Sequence, residues 1–426
     1  MDGVRVFTEN GSLRTPRKLE VRFHLPARDS RAPGQEILDR VPTPEIVPEQ
    51  FDRYAGTAKA EHAVHQPGIG GDEIVQPEAV PLAHVPSSLR AGLPALSAIH
   101  CYVSMRSVNL LVLSNPTAGY LRLLDELPKE TNLVVGNKIE MFEPHAERAE
   151  VLVNCMTPLP FFREAFMKSP NLAWVHSMSV GVENSLFPEL VASPVPLTNA
   201  RGVYSRSLAE FVIAGALFFD KKIAAMRSQQ REGRWVNMDV DELYGKTMGI
   251  VSYGNIGEHC AELARAFGMK VLAMRRRPEL SADDKRVDKV YGHDGLREMI
   301  SLSDFVVVCS PITPETRGLI GAAEIAAMKP SAIIMNVGRG AVIDEPALLA
   351  ALRENRIRGA ALDVFAVEPL PEGHEFYQLD NVLLSPHSAD HTPGWTDQSM
   401  RLFIRNFQRY ANGEPLENLV DKKAGY

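Results

Sequence analysis

The stretch MGIVSYGNIGEHCAELARAFGMKVLAMRRR, residues 248–277, limits what this chain can fold into more than any other part of it. It reads strand, glycine turn, helix, strand. Met248 to Val251 carry almost no polar interruption, as a parallel strand covered on both faces requires. Ser252, Gly254 and Gly257 occupy the G-x-G-x-x-G positions. Gly254 lets the backbone approach a pyrophosphate, and Gly257 lets helix and strand pack closely. The amides of Asn255 and Ile256 then open a helix whose N-terminus favours an anion. Ser252 departs from the pattern at the tight-turn position. A small residue holding a negative φ there predicts weaker packing rather than lost binding.

Dinucleotide folds that bind NAD place an Asp or Glu at the end of the second strand, about 20 residues past the glycines, to bond the ribose 2′-hydroxyl. Arg275, Arg276 and Arg277 stand there instead. Guanidinium groups bind phosphate through charge-assisted, often bidentate hydrogen bonds, whereas a carboxylate repels it. The three arginines predict NADP(H) preferred, with NAD(H) possible. The alternative is a solvated basic turn.

Three further residues stand where short apolar runs end in loops: Arg339 in NVGRGAVID, Glu368 in LDVFAVEPL and His387 in VLLSPHSAD. Ligands of open α/β sheets bind outside the carboxyl ends of the strands. Three such loops can bring an arginine, a carboxylate and an imidazole to one crevice. Histidine suits proton delivery near neutrality. A neighbouring Glu368 favours its imidazolium form, and Arg339 can clamp a carboxylate and stabilise charge developing on a carbonyl oxygen. The implied substrate is a small 2-oxo acid. His391 rivals His387, but His387 closes its strand directly while His391 lies in a polar loop. His176 reads as a core or interdomain histidine. Trp395 and Met156 are candidate pocket residues.

With these motifs the chain resembles the D-isomer-specific 2-hydroxyacid dehydrogenases, and among them the glyoxylate/hydroxypyruvate reductases. The resemblance covers roughly residues 107–426 and rests on an ordered series: WVHSMSVGVEN, NARGVYSRSLAEF, the glycine turn, PETRGLIG, NVGRG, LDVFAVEP and SPHSAD. It implies catalytic roles for Arg339, Glu368 and His387. It further implies a substrate carboxylate held by backbone amides around Val180, Gly181 and Val182. Cofactor contacts implied at the two later motifs are Val337 and Asp363, the latter near the nicotinamide carboxamide. It also implies a homodimer.

The 426 residues allow two or three domains. The expected fold class is α/β, two Rossmann-like doubly wound domains with a cleft between them, preceded by a disordered N-terminal segment. Residues 1–104 are crowded with prolines, from Pro16 to Pro94, and lack apolar periodicity. Such a segment cannot bury enough surface to offset its ordering entropy. It reads as a leader, a tail or an extension, and Met105 directly precedes the first strand run, RSVNLLVLSN. Residues 107–203 with 390–426 are expected to form the substrate domain and 204–389 the dinucleotide-binding domain. A long helix over 207–228 is expected to link them.

A net charge of −7 argues against nonspecific nucleic-acid binding, which needs a basic footprint. No apolar run reaches the length of a membrane span. The four cysteines show neither C-x-x-C spacing nor a metal-ligand cluster, so no metal site is expected, and a reducing, cytoplasmic compartment fits. Organellar targeting by the N-terminal extension stays open. Two other function classes stay open as well. A dinucleotide-sensing scaffold, similar to corepressor-like relatives, would not need a proton donor. Formate oxidation is carried out by relatives with glutamine where this chain has Glu368.

Overall fold

The computed structural model describes residues 107–426. The extension expected to be disordered, 1–104, lies outside the described residues.

Two parallel sheets carry the fold, as the sequence predicts. The first contains β1 (Asn109–Leu113), β2 (Asn132–Gly136), β3 (Val151–Asn154), β4 (Trp174–Ser177) and β5 (Leu197–Thr198), in the order β2-β1-β3-β4-β5. The second contains β6 (Thr247–Val251), β7 (Lys270–Met274), β8 (Lys289–Tyr291), β9 (Phe305–Val308), β10 (Ile333–Asn336), β11 (Gly359–Leu362) and β12 (Val382–Leu384). Its order, β12-β11-β10-β9-β6-β7-β8, reverses between β6 and β9. That reversal is the topological switch point at which doubly wound sheets bind dinucleotides. The central strands are buried along their whole length except at the first residues of β1 and β6, Asn109 and Thr247. They read as continuous apolar runs because helices cover both faces.

Each sheet has a hydrophobic cluster on either face. The helix Ser205–Asp220 packs on the glycine-turn helix Asn255–Ala266 over the seven-stranded sheet. Close approach has a visible cause at Gly215, where a Cβ would stand 3.0 Å from that of Ala361. The last helix, Trp395–Ala411, returns to the five-stranded sheet, placing Met400, Phe403 and Phe407 against Trp174 and its neighbours.

The long helix expected over 207–228 is two helices, Ser205–Asp220 and Ile223–Arg231, separated by Lys222 in a left-handed conformation at φ +53°. The break follows from Asp220. Its side chain is fully buried and accepts from Lys246 Nζ at 2.8 Å and Arg358 Nη1 at 3.0 Å. Arg358 also takes the Phe219 carbonyl at 2.7 Å. A buried carboxylate must be paired, and the two cations fix the helix end at the point where they reach it. Other differences are smaller. The helix that the sequence predicts near 117–127 forms as a 3-10 helix, Gly119–Glu126, and β5 and β8 are too short to show a period in the sequence. Asp344, a residue type favoured at the N-cap, caps the helix Glu345–Arg353 by accepting from the Ala347 amide.

His176 is a core histidine. Its Nδ1 lies 2.8 Å from the Thr198 hydroxyl, which also accepts from Trp174 Nε1, while Nε2 is buried without a hydrogen-bond partner among the described residues. Burial pushes its pKa from 6.5 down to about 3. The unfolded chain therefore binds this proton more readily than the folded one. The associated stability is complete above pH 6.5 and declines as pH falls from 6.5 toward 3. Between pH 7 and pH 5 the loss should be about 2 kcal/mol. Urea unfolding of wild type and His176→Gln at both pH values checks it. An equal pH dependence in the two proteins would rule out His176 as its source.

Candidate active site

β10, β11 and β12 are neighbours in one sheet, so the loops at their carboxyl ends open side by side. They carry Arg339, Glu368 and His387. The first two loops touch backbone to backbone. A Cβ at Gly340 would overlap the Phe365 carbonyl, and one at Gly338 would come 2.5 Å from the Ser310 carbonyl oxygen. Glycine flanks Arg339 on both sides because nothing larger fits.

Glu368 and His387 form a directed pair. His387 Nδ1 lies 2.7 Å from Glu368 Oε2, and the other carboxylate oxygen accepts from the Phe365 amide at 2.8 Å. Both side chains are partly exposed, and the bond to Glu368 engages Nδ1 of the imidazole rather than Nε2. His387 adopts φ +51°, unusual for a non-glycine residue. Asp363 holds it there. Its backbone carbonyl accepts from the His387 amide, and its buried carboxylate accepts from the amides of Ser388 and Ala389 at 3.0 and 3.1 Å. The side-chain hydrogen bonds of Asp363 within the described residues are thus to the histidine loop. His391 has a different environment: its ring stacks on Trp395 at 4.8 Å, and Trp395 meets Tyr204 edge-on. Asp390 lies between the two histidines. Burial raises its pKa, and its buried Oδ1 has no hydrogen-bond partner among the described residues.

The five-stranded sheet contributes the loop after β4. Gly181 lies flush against the Arg339 guanidinium, where a Cβ would overlap Nη2. The amides of Val180, Gly181 and Val182 find no acceptor among the described residues. Glu183, which the sequence reading passed over, accepts from Arg339 Nε, and Arg339 Nη1 donates to the Gly338 carbonyl at 2.8 Å. Its one signal was its place two residues past Gly181; the partner lies 156 residues away. Met156, at φ +58° and 42% exposed, ends the loop after β3.

At the glycine turn, Gly257 behaves as predicted: a Cβ would stand 3.0 Å from Ile250 Cγ2 and 3.1 Å from Tyr253. A Cβ at Gly254 would meet nothing within 4 Å, so the N-terminus of the helix Asn255–Ala266 is open. Asn255 accepts from the Ser205 hydroxyl at 2.6 Å, and Ile256 packs on the core. Ser252 contradicts expectation. It sits at φ +66°, not at a negative angle, with its hydroxyl 2.5 Å from that of Ser310. The strand must reverse into the helix there, and the turn imposes the left-handed conformation at a cost of roughly 1–2 kcal/mol. Val337 is buried in the core beneath the crevice. Arg275 is half-buried and donates to Ser281, while Arg276 is exposed with its guanidinium 5.1 Å from the centre of the Tyr426 ring. Open helix amides beside arginines are a donor set that fits a dinucleotide phosphate. No group of three or more His, Cys, Asp or Glu side chains among the described residues is placed to hold a metal.

Residues 213–389 match the model of the D-isomer specific 2-hydroxyacid dehydrogenase NAD binding domain. The chain is 35% identical over 271 residues to a glyoxylate reductase of Thermococcus gammatolerans, covering 61% of this chain and 79% of that protein. A D-isomer specific 2-hydroxyacid dehydrogenase from Xanthobacter autotrophicus Py2, solved with NADPH and MES, is 31% identical. It superposes with a TM-score of 0.65 over 75% of this chain and 100% of its own. An NADPH-dependent glyoxylate/hydroxypyruvate reductase from Sinorhizobium meliloti, solved with NADP and sulfate, is 25% identical at the same TM-score and coverage.

Proposed function

Because the chain belongs to the D-isomer-specific 2-hydroxyacid dehydrogenase family, NAD(P)-dependent oxidoreductases acting on CH–OH groups, we propose that it reduces glyoxylate or hydroxypyruvate with NADPH. The observation that carries this reading is the 2.7 Å pair of His387 and Glu368, on two neighbouring strand-end loops next to that of Arg339. When bound, the nicotinamide supplies the hydride to C2. His387 delivers the proton to the carbonyl oxygen from Nε2, with Nδ1 held by Glu368. Arg339 and the unpaired amides of Val180, Gly181 and Val182 hold the substrate carboxylate and stabilise the charge on oxygen. Asp363 fixes the backbone that presents His387. A sensing scaffold would have no use for so directed a proton donor. The test is a panel of 2-oxo acids, with formate as the contrasting substrate, assayed with both cofactors. Turnover of formate, or of no 2-oxo acid at all, would overturn the reading.

The preference for NADPH rests on Arg275 and Arg276, which follow β7 in the sequence where NAD-binding folds place the carboxylate that would repel a 2′-phosphate. kcat/KM should favour NADPH by roughly ten- to a hundredfold, the range for a hydrogen bond to a charged group. The ratio should shrink as salt rises, because Arg276 is exposed. Charge reversal at either arginine should abolish it. A preference for NADH at low and high ionic strength alike would return both residues to the status of a solvated turn.

The assembly is proposed to be a homodimer. Between the helix Ile223–Arg231 and β6, large apolar side chains face solvent in this chain: Trp235 is 95% exposed and Tyr244 77%, with Met226, Val236 and Val240 beside them in sequence. Soluble chains rarely leave such clusters uncovered. Trp235→Asp should shift the sedimentation coefficient from dimer to monomer. A dimer that survives this change would place the interface elsewhere. No described helix is long and apolar enough to cross a membrane. The proposed compartment is the cytoplasm, which suits three buried free thiols, Cys155, Cys260 and Cys309.

A further inference from the structure

The segment after the last helix crosses from one sheet to the other. Leu419 bridges antiparallel to Thr198 at β5, and the Val420 amide donates to the Leu197 carbonyl at 2.8 Å. Lys422 then anchors the segment from beneath, its Nζ donating to the carbonyls of Leu190, Ser193 and Val195 at 2.9, 2.7 and 2.8 Å. A tight turn follows. Asp421 accepts from the amides of Lys423 and Ala424, the Gly425 amide donates to the Asp421 carbonyl, and Gly425 sits at φ +83°. The turn brings the segment onto the seven-stranded sheet. A Cβ at Gly425 would stand 3.9 Å from Thr313, in the loop after β9, and the Tyr426 ring stacks on the Arg276 guanidinium at 5.1 Å. Arg276 therefore has a partner from the other lobe. Its charge also reaches two carboxylates beside it. Asp421 is held low chiefly by the Ala424 amide, and Glu315 chiefly by the Thr313 hydroxyl, with Arg276 adding to both.

We propose that Tyr426 is a positioning residue for cofactor discrimination: its ring holds the Arg276 guanidinium at the mouth of the adenosine site, ready for a 2′-phosphate. The inference rests on the NADPH reading above and deepens it. An exposed arginine on a flexible stem loses side-chain entropy when it binds phosphate. A ring that already fixes the guanidinium plane lowers that loss and leaves the edge N–H groups free to donate. Because residues 419–422 are bound to β5 and the carbonyls before it, the aromatic wall is fixed to the substrate side of the molecule. Recognition of the 2′-phosphate is thereby tied to the relative placement of the two sheets.

Binding measured by calorimetry separates the possibilities without relying on turnover. The probes are adenosine 2′,5′-bisphosphate, NADPH and NADH, and the proteins are wild type, Tyr426→Ala, Tyr426→Phe and Arg276→Ala. Tyr426→Ala should raise the Kd of the bisphosphate and of NADPH by roughly three- to tenfold, as a partly exposed cation–π contact supports. NADH should change by less than about twofold on the same principle, and Tyr426→Phe should restore wild-type values because the ring face is kept. If Tyr426→Ala leaves bisphosphate binding unchanged, or weakens NADH and NADPH equally, the positioning role is overturned. If Arg276→Ala itself leaves bisphosphate binding intact, the 2′-phosphate reading of Arg276 fails, a result distinct from failure of Tyr426 alone.

Discussion

His387→Ala should lower kcat for reduction of the 2-oxo acid by on the order of 10²–10⁴-fold, the usual contribution of a positioned general acid. The Kd for NADPH should barely move, because the imidazole belongs to a loop held by Asp363 and Glu368 rather than to the glycine turn. Single-turnover kinetics with prebound cofactor isolate the chemical step from binding and release. Turnover within a fewfold of wild type would remove His387 as the proton donor. Attention would then turn to His391, which has Asp390 Oδ1 3.7 Å away.

Gly181→Ala is the second large effect. The added methyl would occupy the place of Arg339 Nη2 and stand 2.7 Å from Glu183 Oε2, so the guanidinium must move. A displacement of about 1 Å at a clamp can cost on the order of 10²-fold in rate. The loss should fall on kcat/KM for the 2-oxo acid, with NADPH binding and the thermal midpoint little changed. The residue is on a loop between sheets and no core is disturbed. A folded variant with wild-type constants would mean that Arg339 does not hold the substrate in the place proposed.

Much of this was legible in the chain itself. The buried strands betray themselves as apolar runs, and Gly257 reports a helix–strand contact four to seven residues away, within reach of any local reading. Legibility fails where the deciding partner is distant or the constraint is geometric. Glu183 meets Arg339 across 156 residues and two sheets. Lys222 ends a helix because Asp220, two residues earlier, is captured by Lys246 and Arg358. Ser252 was assigned a negative φ from its side-chain chemistry, but the path of the backbone between β6 and the next helix sets the angle. The bonds by which Asp363 secures Ser388 and Ala389 are likewise an arrangement that no spacing rule encodes.

Arg339, Glu368 and His387 ride on three adjacent strands of one sheet, whereas Gly181 and Glu183 ride on the other. Tolerances in such a molecule are divided unequally. The distances that govern proton delivery are inherited from strand spacing and are as stiff as the sheet itself. The distance between the guanidinium and the loop that faces it depends on how two separate sheets meet. Substitutions that loosen the seam between the layers should degrade capture of the substrate well before they degrade the reaction of a substrate already held. Evolution can therefore retune what this crevice accepts by adjusting the seam, while the chemistry carried by the strand ends stays the same.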